Sequence, residues 1–452
     1  MPAGSRTCRR AARRGAEPVG PGLQILLTFG VFLLLLGAGM AVPFAIAVPA
    51  VLYLLMQGGV TALRGLGTIS WGSMNSFTLT AIPMFILLAE MMQHSGISQR
   101  IYRGLARLVA ILPGGLLQTN IVGCALFAAV SGSSVATAAA IGGVALPQLL
   151  RRDYDRRLAA GSLAAGGTLG ILFPPSLAMI VYGSFTDTSV AQLFMAGVVP
   201  GLLLTVMFMT YLGLRARLVP SGWPTEHGPR SAADLLAGLV DVLPFALLIL
   251  GIMGSIYLGL ATPTEAAAGG CLLGFAICLI WGELTPVLLL AALRRTVQIV
   301  GNLLFIIYAA YIFAYAIGLA GIGERVTGWL VALHLGPVGF FLALFVLYTV
   351  LGCLVESIGM IVITVPLLQP VLARYGIDPV WFGVLLVLYI EMGQISPPIG
   401  INLFVIQSIW DGELGDVVRG TIPFHLIMFV LLGLLMAFPQ LALWLPAHMA
   451  RP

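Results

Sequence analysis

The chain has 452 residues, 60% of them hydrophobic and only 9% charged, with a formal net charge of +5 and a mean hydropathy of +1.05. A soluble domain carries roughly 25% charge, so this composition excludes a water-soluble globular protein and points to a lipid bilayer, not a nucleic acid, as partner. All 22 basic side chains are arginines.

In chain order, arginines 6, 9, 10, 13 and 14 form a basic tail over residues 1–21 that resembles a signal n-region. The apolar stretch after it has no clear small-residue cleavage site, so it predicts a first membrane helix rather than a removed leader. Apolar runs then recur at 23–36, 82–92, 197–214, 235–258, 266–280, 301–319, 337–351, 382–390 and 421–445. Roughly 20 residues cross a bilayer, so the shorter runs predict hairpins and broken helices beside full spans. A first repeat is expected over 22–214, opening with apolar segments at 23–40, 43–57 and 78–94. Arg100, Arg103 and Arg107 recur at helical spacing, which predicts an amphipathic helix lying along the membrane surface.

Two apolar arms follow, joined by Ser131-Gly132-Ser133-Ser134 and flanked by arginines at both outer ends. One short polar break between arms of about 15 residues predicts a re-entrant hairpin over 116–150, its serine tip near mid-membrane. Non-helical backbone at that depth survives only when protein or a water-filled cavity covers it. Small residues also permit close helix packing. The paired hairpin elsewhere favours a site, because hydroxyls and freed carbonyls suit a hard cation.

Next comes Gly170-Ile171-Leu172-Phe173-Pro174-Pro175, a predicted break in a helix over 158–185. Proline lacks the N–H and clashes with the preceding turn. The same punctuation returns 223 positions later as Gly393-Gln394-Ile395-Ser396-Pro397-Pro398. Ser134, Pro147, Arg151 and Asp155 match Ser357, Pro370, Arg374 and Asp378 at that offset without a gap. Matched breaks in two halves of a membrane protein are the best sequence pointer to a transporter's binding site. Each break exposes carbonyls that can hold a cation and an N-terminal dipole that can hold an anion.

A polar loop at 215–231, expected to be cytoplasmic, joins the halves. The second repeat region runs over 232–446, with a basic turn at Arg294-Arg295, a hairpin at 338–372 with tip Glu356-Ser357, and a broken helix at 380–410. If helices alternate through these segments, arginines 100, 103, 107, 151, 152, 156, 157, 215, 217, 230, 294, 295 and 419 share one side, and 64, 325 and 374 the other. The positive-inside rule makes the first side cytoplasmic. The hairpins then open to opposite sides and the repeats are inverted. This alternation places the N-terminal arginines outside, against the same rule.

Ionisable residues in apolar segments default to functional hypotheses. Glu356 is best placed, at the second tip, and Glu391 precedes the second break. Glu265 is equally suited to capping a helix start, and Glu90 reads as a membrane-boundary residue. The five cysteines have no zinc or disulfide spacing, the five histidines no metal spacing, and no phosphate-binding or hydrolase motif is present, so no enzyme is expected.

Ser131 to Ala138, Gly167 to Ser176, Pro263 to Ala267, Gly376 to Pro379 and Glu391 to Phe404 together resemble the large membrane subunit of tripartite ATP-independent periplasmic (TRAP) transporters, over about 22–446. The resemblance implies an all-α integral membrane protein with inverted repeats, two re-entrant hairpins and two broken helices, working as an elevator in the bacterial inner membrane. It implies coupling to Na⁺ and no organic cofactor. It also implies two partners, a small DctQ-like membrane subunit and a periplasmic DctP-like solute-binding protein that delivers an organic anion. Carried over by motif, a first Na⁺ site uses Ser131, Ser134, Gly170, the Phe173 carbonyl and Pro175, and a second uses Gly352, Ser357, Gly393 and Ser396. Ser133, Thr168, Ser176, Glu356, Gln394 and Asn402 are placed near the substrate. The family often has Asp where this chain has Glu356. Two other readings are a stand-alone sodium/divalent-anion symporter, which shares the hairpin plan, and a non-transporting scaffold or intramembrane enzyme. The duplicated breaks argue against the last.

Overall fold

The computed structural model describes residues 21–109, 111–219, 231–332, 336–410 and 412–450. The arginine-rich tail through residue 20 and residues 220–230 of the expected loop lie outside the described residues, as do Cys8, His227, Arg230 and His334. Every regular element among the described residues is helical. The first five helices are α1 (Pro21–Gly37), α2 (Val42–Ala62), α3 (Gly65–Met74), α4 (Ala81–His94) and α5 (Ile97–Val109). The first hairpin is α6 (Leu116–Ser131) and α7 (Ser134–Arg151), and the first broken helix is α8 (Arg156–Leu172) and α9 (Leu177–Thr186). Then come α10 (Val190–Leu218), α11 (Ala232–Tyr257), α12 (Pro263–Ile280), α13 (Pro286–Ala320) and α14 (Ile322–Ala332). The second hairpin is α15 (Pro337–Gly352) and α16 (Ser357–Tyr375), followed by the broken helix α17 (Pro379–Gln394) and α18 (Ile401–Ile409). The chain closes with α19 (Leu414–Ala437) and α20 (Gln440–His448). Eight of these spans are long and apolar enough to cross a membrane, or nine if the pair over 65–94, bent by 52°, counts as one.

The repeat is visible in the chemistry of the helix ends. Asp155 accepts from the backbone N–H groups of Arg157 and Leu158 to start α8. Its counterpart Asp378 accepts from Val380 and Trp381 to start α17. A carboxylate there satisfies orphan donors and meets the positive end of the helix dipole. Glu265 is likewise a cap, completing a capping box with Thr262 at the start of α12.

The helices form two packed groups. In one, α13 packs along α2 and α4, and α12 on α4 and α11. In the other, α8 is clasped by α6, α7 and α19, and α17 rests on α15. The second group is stitched crosswise: α18 of the second repeat packs on α7 of the first, and α9 of the first packs on α16 of the second.

One local expectation needs correction, and one helix and one residue gain partners that the sequence did not show. Arg294 and Arg295 are not a turn; they lie inside the 35-residue α13, whose helical run starts at Pro286 behind the Thr285 cap. The helix bearing Arg100 and Arg107 is amphipathic, as expected, and has partners within the chain. Its apolar face is buried, it packs on α6 and α11, and both arginines pair with Asp241 of α11, at 2.8 and 3.2 Å. Glu90, near the end of α4, is 9% exposed, lies 3.5 Å from His94, and lines a cavity shared with both hairpin tips.

Candidate functional site

Each hairpin tip is seated on its own broken helix. At the first, Gly132 ends α6 with φ +60°, a left-handed conformation that glycine adopts without a Cβ penalty. A Cβ there would lie 2.6 Å from the Pro175 carbonyl oxygen. The Leu177 N–H, at the start of α9, donates to the Gly132 carbonyl at 3.2 Å. The Ser131 hydroxyl lies 2.7 Å from that of Thr137 and donates to the Ser133 carbonyl at 3.3 Å. Gly170 faces the same spot, since a Cβ on it would meet the Thr137 hydroxyl at 2.6 Å. Ser131, Ser133, Gly170 and Pro175 therefore gather around one tip. Thr137 joins them, a residue that sequence reasoning left out although it sits one helical turn past the serine run.

The second tip repeats the plan. Gly352 ends α15 against Gly393 of α17, and a Cβ on Gly352 would come within 2.6 Å of the Gly393 carbonyl carbon. Both breaks contain a cis Pro-Pro peptide, Pro174-Pro175 and Pro397-Pro398. Cys353 in the tip approaches the carbonyls of Ser396 and Pro397, with Sγ at 3.8 and 3.7 Å. The Ser396 hydroxyl donates to the Met392 carbonyl at 2.7 Å. Ser357 opens α16 and is 6% exposed.

The two sites touch each other. The Ser134 hydroxyl donates to Gln394 Oε1 at 2.5 Å, linking the first hairpin to the second break. Gln394 and Asn402 are fully buried, yet Gln394 Nε2 and both Asn402 amide atoms have no hydrogen-bond partner. Glu391, also fully buried, leaves both carboxylate oxygens unpartnered. Buried polar groups are almost always satisfied, so this cluster at the second break stands out. The repeat counterparts of Gln394 and Asn402 are Ile171 and Met179, both apolar. Thr168 and Ser176, by contrast, are spent locally: Thr168 donates to the Ala165 carbonyl, and Ser176 donates to that of Ile171 while capping α9. Phe173 lies with its ring against Gly201.

Ser131, Ser133, Glu356 and Ser357 line a common cavity of about 90 Å³. Its opposite wall is Glu90 of α4 and Ile299 of α13. The tips of both hairpins thus meet where the two helix groups face each other. Hydroxyl-bearing and carboxylate-bearing residues of α4 and of both hairpin tips line it together, a donor set suited to a hard cation.

The chain matches the family described as tripartite ATP-independent periplasmic transporter, DctM component, over residues 28–441. It is similar to the C4-dicarboxylate TRAP transporter large permease protein DctM of Pseudomonas aeruginosa, 35% identical over 393 residues covering 85% of this chain and 90% of that one. The sialic acid TRAP transporter large permease protein SiaM of Vibrio cholerae is 31% identical, covering 91% and 96%. The ectoine TRAP transporter large permease protein TeaC of Halomonas elongata is 31% identical, covering 93% and 98%. Among solved structures, the YdaH transporter of Alcanivorax borkumensis shares the fold, with a TM-score of 0.62 at 17% identity over 93% of this chain and 99% of that one.

Proposed function

Since the chain belongs to the DctM family of TRAP transporter large permeases, and is accordingly a multi-pass protein of the bacterial inner membrane, we propose that it couples Na⁺ entry to uptake of an organic acid bearing a carboxylate. The observation that carries the reading is the pair of hairpin tips seated on matching helix breaks, with Ser131, Ser133 and Thr137 at one and Ser357 and Ser396 at the other. Na⁺, when bound, supplies positive charge that offsets an anionic ligand in a poorly hydrated site. The chain's own part is to offer hydroxyl and carbonyl oxygens at the tips and to hold the first hairpin against the second break through Ser134 and Gln394.

The family is tripartite, so a small membrane subunit and a periplasmic binding protein complete the transporter. In this reading the hairpin group slides past the group built on α2, α4, α11, α12 and α13, carrying ligand and ions between sides. The relatives' ligands, C4-dicarboxylates, sialic acid and ectoine, support an organic acid as cargo.

Na⁺ binding can be read without knowing the substrate. Titrating NaCl against KCl at constant ionic strength is expected to raise the melting temperature of the purified chain with Na⁺ alone. Equal shifts with both salts would overturn Na⁺ coupling.

A further inference from the structure

The boundary between the two helix groups is open at one end and fastened at the other. The small cavity at the hairpin tips shares Ala136 and Ile299 with a larger crevice of about 610 Å³, which reaches His94, Arg295 and Ile401. His94 ends α4, just ahead of the arginine-bearing α5. By the arginine rule, this open end faces the cytoplasm.

The fastened end lies elsewhere on α13. Tyr311 sits about 24 Å further along that helix than Arg295, by the rise of an α-helix. It is the middle member of Tyr308, Tyr311 and Tyr315, which recur at helical spacing. The outer two hold α3 within their own group: the Tyr308 hydroxyl lies 2.8 Å from that of Ser70, and a Cβ on Gly65 would lie 2.3 Å from the Tyr315 hydroxyl. Tyr311 reaches the other group. Its hydroxyl lies 3.0 Å from that of Ser184 in α9 and donates to the Ser184 carbonyl at 3.4 Å. Its ring stacks on Phe185, with centroids 4.4 Å apart and planes inclined by 18°. Ser184 also lines a hydroxyl-rich cleft of about 490 Å³, walled by Asp187 and Thr188 on the hairpin side and by Thr78 and Thr262 on the other.

This fastening is not repeated in the second half. The counterparts of Ser184 and Phe185 are Gln407 and Ser408 in α18. Gln407 donates to the Gly412 carbonyl and Ser408 to that of Val405, both within their own group. Aromatic stacks and hydrogen bonds are short-ranged and bound to one geometry, so the Tyr311 contacts hold only while α9 keeps this register against α13. We propose that Tyr311, Ser184 and Phe185 form a latch, which closes the boundary at its outer end and holds the chain with its crevice open to the cytoplasm. Passage to the outside-facing arrangement requires the latch to part. The proposal rests on the reading that the hairpin group slides past the α13 group.

Ala136 lines both the small cavity and the crevice, and serves as the reporter. Ala136→Cys is placed in a background without native cysteines, and the chain is assembled with the small membrane subunit in vesicles of known orientation. Reaction with an impermeant thiol reagent is timed from each side. The parent is expected to react fast from the cytoplasmic side and slowly, but measurably, from the outside. Tyr311→Ala and Phe185→Ala should raise the outside rate relative to the cytoplasmic rate roughly tenfold. The milder Tyr311→Phe and Ser184→Ala, which lose only the hydroxyl pair, should raise it about threefold. Parent-like ratios in all four variants overturn the latch, as does a rise on both sides alike, which marks general loosening. If the parent reacts from both sides and those ratios still do not move, the latch fails while sliding stands. A reporter that reacts from one side only, in the parent and in every variant, removes the sliding itself.

Discussion

Ser134 and Ser357 are counterparts 223 positions apart, and their surroundings differ. Ser134 is committed to Gln394 across the repeat boundary, while Ser357 opens onto the shared cavity. Ser134→Ala strands a buried amide oxygen, a loss of about 1–3 kcal/mol. It is therefore expected to lower the melting temperature and to weaken Na⁺ stabilisation roughly five- to hundredfold. Ser357→Ala removes a hydroxyl with no helix partner, so it should weaken Na⁺ stabilisation while leaving the Na⁺-free melting temperature near that of the parent. Titration curves like the parent's in both variants would mark these serines as packing residues. The serines themselves were legible in the sequence because Ser-Gly-Ser-Ser between apolar arms is a local signal. The Ser134–Gln394 bond was not, since it joins residues 260 apart and follows from how two broken helices cross. That Glu90 shares a cavity with α13 and the second hairpin tip was not legible for the same reason.

At the scale of elements, the hairpins and breaks were readable almost to the residue. Gly-x-x-x-Pro-Pro acts on the backbone within a turn or two and needs no tertiary context. The first hairpin expected over 116–150 is the α6–α7 pair over 116–151. The segments before residue 94 were less clear, because a 52° bend between α3 and the stretch ahead of α4 leaves no strong composition signal. Close approach at the tips gives a sharp packing test. Gly352→Val would drive a branched side chain into the Gly393 backbone, and overpacking of this kind costs roughly 1–3 kcal/mol. The variant should lose Na⁺ stabilisation and show faster proteolysis at the second hairpin; parent-like behaviour in both assays would mean that the tip can lift away freely. The inverted arrangement has its own check. Asp153 follows the α7 arm, Arg374 lies in the last turn of the matching arm α16, and both are exposed. In a background without native cysteines, Asp153→Cys is expected to react with an impermeant thiol reagent from the cytoplasmic side and Arg374→Cys from the outside. Reaction of both from one side would rule out inversion.

The whole molecule divides into a group that carries the tips and breaks and a group built on α13, and the cavity at the hairpin tips is lined by both. Long, flat boundaries of this kind are hard to read from sequence, because both groups are uniformly apolar and every helix could face lipid or protein. Many large side chains on α1, α2, α11 and α12 remain exposed, among them Leu34, Met56, Leu236, Leu250 and Leu272. In a membrane protein such faces meet lipid or another membrane helix. Among the described residues α13 meets the hairpin group along α16, while α11 meets its neighbours through α5 and α10. The family's tripartite plan adds a small membrane subunit, suited to such apolar faces, and a periplasmic binding protein. The chain reconstituted alone is therefore expected to bind Na⁺ yet to show no concentrative uptake. Adding the small subunit should restore slow exchange, and adding the binding protein should restore uptake driven by an inward Na⁺ gradient. Full uptake of free ligand by the chain alone would instead identify a stand-alone symporter, whose scaffold is braced by its own helices.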